Sequence, residues 1–276
     1  MRTEKWYTES NAGFGENESM KYTVQSGTAI NGRGYKPNED YCIADAEKMV
    51  FVIADGVTQS VADYGEGLEK SDAAMAAELT AKALHEALVS AEDAGQGMRD
   101  GTRLAIERVA EFNRTSRATF PPASCMISGC IRGDRLYFSY LGDSIAFLLR
   151  GDVKIQLAEQ QTRYLNLYRK LTGATLTKEE IYRDITNNSA SPGAYGVVLG
   201  DMRAMDLLRV SSVRLEAGDR VIISSDGLDQ YLFYAPFDEI KTAAPEDMIR
   251  ASAPFDRPPF ANTADDKSVI LIDVSE

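Results

Sequence analysis

The sequence predicts an α+β fold: packed sheets with helices on the outside. Many short β-type runs are punctuated by turn dipeptides. Two helix-period stretches lie between an early and a later group of strands. No repeat of 20–50 residues is evident, and no linker-like stretch divides the 276 residues. One domain over 21–276, preceded by a polar N-terminal arm at 1–20, is the expected organisation.

The first β-type runs are "KYTVQSGTAI", "DYCIAD" and "MVFVIAD", the first two separated by the Gly-rich loop "NGRGYKPNED". Residues 67–92 read as a long helix, with Leu68, Met75, Ala76, Leu79, Ala83, Leu84, Ala87 and Leu88 on one broad face. A second helix over 97–115 carries Leu104, Ile106, Val109 and Phe112 and stops before "FPP" at 120–122. A meander follows: "SCMISGCIR", "RLYFSYLG", "IAFLLR" and "VKIQLA", with Gly133-Asp134 and Gly151-Asp152 in two of its turns. Each turn happens to spell Arg-Gly-Asp. Hairpin geometry already asks for Gly-Asp there, so an adhesion motif is rejected. Residues 157–198 read as an insertion over the sheets, with Thr177 and Glu180 spaced as a capping box. "LLRVSSVRL", "DRVIISSDG", a helical region near 236–251 and a last strand "SVILIDV" complete the chain.

Composition excludes several function classes. The chain is 44% hydrophobic and 26% charged, with no unbroken apolar run of the roughly 18 residues a membrane helix needs. Its start lacks an apolar signal core, and a cytoplasmic protein acting as a monomer is expected. A net charge of −12 and the lack of a basic stripe argue against nucleic acid. Cys42, Cys125 and Cys130 form an odd set without CxxC and are expected as reduced, buried thiols. The single histidine, His85, sits in a helical stretch, which removes a Ser-His-Asp triad or a His-rich zinc site unless His85 takes part.

What remains is acidic. "VFVIADGVTQS" and "RVIISSDGLDQ" are apolar strands that end in Asp-Gly, and "LYFSYLGDSI" is a variant. The carboxylates at strand and loop ends are Glu39, Asp40, Asp55, Asp143, Asp226, Asp265 and Asp266. If those strands are neighbours, the acids share one cleft, where they repel and need protons or cations. Oxygen donors without His or Cys select Mg²⁺ or Mn²⁺, with Ca²⁺ a further option. Glycine beside Asp55 and Asp226 allows close backbone approach, and Gly56 can offer its carbonyl.

The ordered set "GRGYKPNEDYCIAD…VFVIADGV", "LGDSIAFLLR", "VIISSDGL" and "ADDKSVILIDV" resembles the type 2C metal-dependent serine/threonine protein phosphatases over about residues 24–274. The resemblance implies a central β-sandwich of two antiparallel sheets flanked by helices, four layers in all. It implies two Mn²⁺ or Mg²⁺ ions, with a third weakly bound, and phosphorylated proteins as substrates. Phosphoserine or phosphothreonine would be hydrolysed by direct attack of a water bridging the two metals. Residue by residue, Asp55 would bridge two ions, with the Gly56 carbonyl on one, while Asp226 and Asp265 complete the other. Glu39 and Asp40 would hold metal-bound waters, and Asp143 would serve the third ion with Asp226.

The chain departs from the family's pattern in three places. "DGVTQS" replaces a glycine-rich turn, and Val57 stands where some members place a histidine general acid. Arg33 lies six residues before Glu39 and Lys36 three before it, and either is a candidate to grip phosphate. "EQQTRYL" opens the insertion at 157–198, which takes the place of a variable flap; Arg163, Tyr164 and Tyr168 there either touch substrate or pack the insertion. The alternative functional reading is a non-catalytic, phosphatase-like binding or regulatory module. A phosphatase dedicated to a bacterial regulator and a Ca²⁺-binding structural protein are more distant rivals.

Overall fold

A computed structural model describes residues 6–10, 20–30, 36–58, 63–64, 68–259 and 264–276. The strands are β1 (Trp6–Ser10), β2 (Lys21–Ala29), β3 (Asp40–Asp45), β4 (Val50–Gly56), β5 (Ser124–Arg132), β6 (Arg135–Leu141), β7 (Ile145–Arg150), β8 (Val153–Ala158), β9 (Arg209–Arg214), β10 (Arg220–Ser224) and β11 (Lys267–Ser275). They form two sheets, one ordered β1-β2-β11-β10-β7-β8 and the other β3-β4-β5-β6-β9. Every pairing is antiparallel.

The side-chain alternation of three strands explains the layers. On β4, Phe51 and Ile53 face the other sheet, while Val50, Val52 and Ala54 face helices. β10 and β11 do the same, with Val221, Ile223, Ile270 and Ile272 inside and Ile222, Val269 and Leu271 outside. Strands covered on both faces read as continuous apolar runs, because successive side chains point to opposite sides. Burying each of these large side chains contributes about 1.5–3 kcal/mol.

Helices α1 (Asp72–Ser90) and α2 (Ala94–Asn113) cover the five-stranded sheet. Ser71 caps α1 by accepting from the Ala74 amide at 3.1 Å, and α1 buries Ala73, Ala76, Ala77, Ala81, Leu84 and Leu88. α2 starts at Asp93, whose carboxylate accepts from the Gln96 amide. α3 (Thr162–Thr172) and α4 (Lys178–Glu180) lie between β8 and β9, in the segment the sequence reading expected as an insertion. α5 (Asp229–Tyr234), α6 (Phe237–Thr242) and α7 (Pro245–Ala251) cover the other sheet through Tyr231, Leu232, Ile240 and Met248, joined by Leu228 just before α5. The order is thus helix, sheet, sheet, helix, as the resemblance implied.

Some expectations need correction. Trp6–Ser10, placed by the sequence reading in a loose arm, pair with β2 as an edge strand; Trp, Tyr and Thr favour a pleated surface even without an apolar run. Leu68 lies outside α1 and is 39% exposed, because Ser71 starts the helix after it. The capping box is present, with Thr177 Oγ1 accepting from the Glu180 amide and Glu180 Oε2 from the Thr177 amide. Gly133 and Gly151, in the two Arg-Gly-Asp sequences, lie in hairpin turns with positive φ, as the turn reading requires. Cys130 and Cys125 are buried and Cys42 is half-buried, and all three are free thiols.

Candidate metal centre

Register places the acids before any side chain is considered. Asp40 opens β3 and is the cross-strand partner of Asp55 at the end of β4. In the other sheet, Ser224 ends β10 opposite Ile145 on β7 and Val269 on β11. Asp226 leaves β10, while Asp143 and Asp265 precede β7 and β11, so all three gather at the same edge. Antiparallel neighbours carry their starts and ends side by side, which is why acids more than 200 residues apart in sequence meet.

Carboxylate oxygens of Asp55, Asp143 and Asp226 lie within 4.8 Å of one another. Burial is the largest cause holding Asp55 well above the ordinary aspartate range, followed by the charges of Asp40, Asp226, Asp143 and Asp265. Asp226 is raised for the same reasons, with Asp143, Asp265, Asp229 and Asp40 facing it. Asp143 is raised by burial and by Asp229 and Asp265, against an opposing hydrogen bond from the Cys125 thiol. Asp40 is pushed up to about 7 by burial and Asp266, while hydrogen bonds from Ser225 and Ser268 pull the other way. By accessible surface the aspartates that share the 4.8 Å cluster are half-buried, so they border a cleft rather than a sealed core.

Glycine after two of these acids is a steric requirement. A Cβ on Gly56 would stand 2.6 Å from the Ala73 carbonyl oxygen and 2.8 Å from that of Glu39, whose oxygen accepts the Gly56 amide at 3.0 Å. A Cβ on Gly227 would stand 2.0 Å from the Asp266 carbonyl oxygen. The repeated Asp-Gly is therefore partly a packing signature, in which backbone passes backbone beside each acid.

The residues fit hard divalent ions. The cluster offers oxygen donors without imidazole, and its carboxyls are displaced toward the protonated form, as acids are when no cation offsets their mutual repulsion. Asp40 Oδ2 accepts from Ser225 Oγ at 2.7 Å, while Asp40 Oδ1 is buried with no hydrogen-bond partner among the described residues.

Two expected site residues are enclosed. Glu39 is 1% exposed, and both its oxygens are saturated: Oε1 by Tyr64 OH at 2.8 Å and Ser71 Oγ at 2.6 Å, Oε2 by Lys36 Nζ at 2.8 Å and Thr58 Oγ1 at 3.1 Å. These four donors anchor it inside the fold beside the acid cluster. Lys36 is 4% exposed, and its ammonium also meets Thr58 Oγ1 at 3.1 Å, Asp266 Oδ2 at 3.1 Å and Asp265 Oδ1 at 3.4 Å. Its N–H donors are directed at these acceptors. Burial alone would lower its pKa, but Asp266, Glu39 and Asp265 together raise it beyond the ordinary lysine range. Arg33 lies outside the described residues. Asp265, with a 38% exposed side chain, reaches the edge of the acid cluster and accepts the Asp266 amide at 2.9 Å.

Other contributors escaped the sequence reading. Asp229, three residues after Asp226, faces Asp143 and Asp226, is raised by burial, and accepts from Gln160 Nε2 at 2.9 Å. The spacing of one helical turn could have found it. Cys125, the cross-strand partner of Asp55, brings its thiol to Asp143, and burial and the nearby acids push that thiol far up. Gln161 is buried and staples the insertion to the Asp143 loop: Oε1 accepts the Gly142 and Gly196 amides at 3.1 and 2.9 Å, and Nε2 donates to the Leu207 carbonyl at 2.9 Å. Lys178 donates to the Thr58 carbonyl at 3.0 Å and lies 4.5 Å from the Phe120 ring centre, so the insertion also touches the loop after β4. Arg163, with a side chain 53% exposed, pairs with Glu159 and hydrogen-bonds Tyr164. His85 Nε2 meets Asp45 Oδ2 at 2.8 Å, at the opposite end of β3 from Asp40, and takes no part in the acid cluster.

A sequence profile described as Protein phosphatase 2C matches residues 30–257. No curated protein sequence matches the chain significantly. Among solved structures, the catalytic domain of the serine/threonine protein phosphatase PstP in complex with two manganese ions is similar at 19% identity, with TM-score 0.64 and coverage of 93% of this chain and 99% of that one. A serine/threonine phosphatase of S. agalactiae is similar at 20% identity, TM-score 0.64, covering 93% and 100%. The phosphatase MsPP of Mycobacterium smegmatis in complex with cacodylate is similar at 20% identity, TM-score 0.59, covering 91% and 97%. With the profile spanning most of its length, the chain belongs to the protein phosphatase 2C family.

Proposed function

We propose that Asp40, Asp55, Asp143, Asp226 and Asp265 form the catalytic metal centre of this serine/threonine phosphatase. The enzyme class follows from the family. The assignment of roles rests on one observation, the convergence of Asp55, Asp143 and Asp226 oxygens within 4.8 Å.

Asp55 would serve both ions, with the Gly56 carbonyl beside it; Asp226 and Asp265 would complete the second, and Asp143 with Asp226 would hold a weaker third. Divalent Mn²⁺ or Mg²⁺ bound there lowers the proton affinity of water and neutralises charge on the phosphoryl oxygens. The protein's own part is to hold the acids rigid. Ser225 fixes Asp40 Oδ2 and leaves Oδ1 without a hydrogen-bond partner among the described residues. Glu39, saturated by four donors, fixes the start of β3 against Ser71 at the head of α1. Val57, directly after Gly56, has no ionisable side chain, so the leaving alcohol would be protonated by another group. Arg33 is the cation we assign to the substrate phosphate, since Lys36 is enclosed. Phosphorylated proteins are the substrates, and the reading extends to a cytoplasmic, signalling enzyme. No helix among the described residues is long and apolar enough to cross a membrane.

Release of phosphate from p-nitrophenyl phosphate and from a phosphothreonine peptide tests this reading. Turnover should require Mn²⁺ or Mg²⁺ and vanish in Asp55→Asn. Wild-type protein inert at saturating Mn²⁺ would instead favour the binding-module alternative.

A further inference from the structure

The ammonium of Lys36 sits within 3.4 Å of carboxylates from three residues that belong to two distant chain segments: Glu39 Oε2 at 2.8 Å, Asp266 Oδ2 at 3.1 Å and Asp265 Oδ1 at 3.4 Å. Its side chain is 1% exposed, as is that of Glu39, and that of Asp266 is 2% exposed. Asp266 Oδ2 also accepts the Glu39 amide at 2.9 Å, so the same small volume ties the start of β3 to the approach of β11. Without the ammonium, the two enclosed carboxylates would lose the counter-charge that Lys36 brings to both. A buried acid in that state needs a proton or a cation.

We propose that Lys36 is a resident cation of the acidic centre. It neutralises Glu39 and Asp266, divides the acids into a lysine-paired group and a metal-binding group, and holds Asp265 at the border between them. Lys36 is thus a positioning residue: it sets how many divalent ions the cluster takes and where Asp265 stands, without touching substrate. The inference rests on the metal reading above. An alkyl-ammonium is a suitable resident because it is a compact charge on a stem that the surrounding protein can bury. It also cannot be washed out, so the paired group stays ordered when divalent ions leave.

The test uses the full chain and Mn²⁺ itself, with binding followed by calorimetry and folding by thermal melts in EDTA. Lys36→Met should melt at least about 5 °C lower than wild type without metal, the mark of a broken enclosed ion pair. It should then bind about one more Mn²⁺ per chain, or gain a larger melting shift from Mn²⁺, as a divalent ion replaces the missing charge. The double variant Lys36→Met/Asp266→Asn, which removes one charge of each sign, should recover most of the metal-free loss; a lysine acting only by packing would not be rescued this way. Should Lys36→Met fail to fold without metal, the double variant and Lys36→Gln carry the same comparison. Identical Mn²⁺ stoichiometry and melting shift in Lys36→Met and wild type would overturn the assignment alone. A wild type that binds no Mn²⁺ would overturn the metal reading and this inference together.

Discussion

Asp40 opens β3 of one sheet and Ser225 directly follows β10 of the other, and the Ser225 hydroxyl donates to Asp40 Oδ2 at 2.7 Å. The Ser225 amide meanwhile donates to the Ser268 carbonyl at 3.1 Å, and Ser225 Oγ accepts the Ser268 amide at 2.9 Å. One serine thus docks the sheets and aims an acid into the site. Ser225→Ala should weaken Mn²⁺ binding about 10–100-fold, the range seen when a group orienting a metal ligand is lost. Its stability cost should be about 1–3 kcal/mol, since enclosed acceptors and donors lose a partner. Calorimetry with Mn²⁺ alongside urea melts measures both, and unaltered Mn²⁺ affinity would refute the orienting role.

Loss of a carboxylate from the convergent set should be far more severe than loss of its support. Asp226→Asn should reduce kcat/KM for p-nitrophenyl phosphate by at least about a hundredfold, equivalent to about 2.7 kcal/mol of transition-state stabilisation. The same variant should melt no lower than wild type in EDTA, because removing one of several crowded acids relieves repulsion. A drop in melting temperature without loss of turnover would contradict the assignment.

Metal-free stability should fall with rising pH. A carboxyl held above its ordinary value in the folded state favours folding while it is protonated. That contribution is complete below the ordinary aspartate value of 3.8 and is lost as pH rises through the folded one, about 7 for Asp40. Asp55, Asp143 and Asp226 are shifted in the same direction. Thermal melts in EDTA should therefore show a lower melting temperature at pH 8 than at pH 5, and saturating Mn²⁺ should remove most of the difference. A metal-free melting temperature that climbs between these values would contradict it.

Gly227→Ala should cost about 1–3 kcal/mol or more, because the added carbon meets a backbone oxygen that no rotamer change can move. Denaturant melts of Gly227→Ala beside Gly218→Ala separate sterics from backbone conformation: Gly218 has φ +90 with open space around its Cβ position, so only strain acts there. Equal and negligible losses at both positions would show that the Asp266 carbonyl can yield.

Lys178→Met should loosen the insertion, since the ammonium donates to the Thr58 carbonyl and lies over Phe120, itself stacked on Tyr182 at 5.6 Å. Amide exchange over 159–198 should quicken several-fold while β4 stays protected. Unchanged exchange would mean that Gln161 alone secures the segment.

Much of this protein was legible in its sequence because local rules act over few residues. Alternation and turn dipeptides mark β3 through β8, Thr177 and Glu180 announce their capping box, and Asp-Gly after an apolar run marks strand ends that carry acids. The edge strand β1 was missed because "WYTES" has the propensity of a strand without its apolar run. What the sequence could not give is which acid faces which. Glu39 and Asp40 are adjacent in the chain, yet strand alternation turns one toward Ser71 and Lys36 and the other toward Ser225. Lys36 read as a candidate to grip phosphate, and nothing in its spacing showed that the approach to β11 brings Asp265 and Asp266 against it. Residue types, spacing and family membership were determined by the chain itself. The division of its acids between a lysine and a metal site was decided by packing, because electrostatic partnership depends on distances in space that sequence separation does not encode.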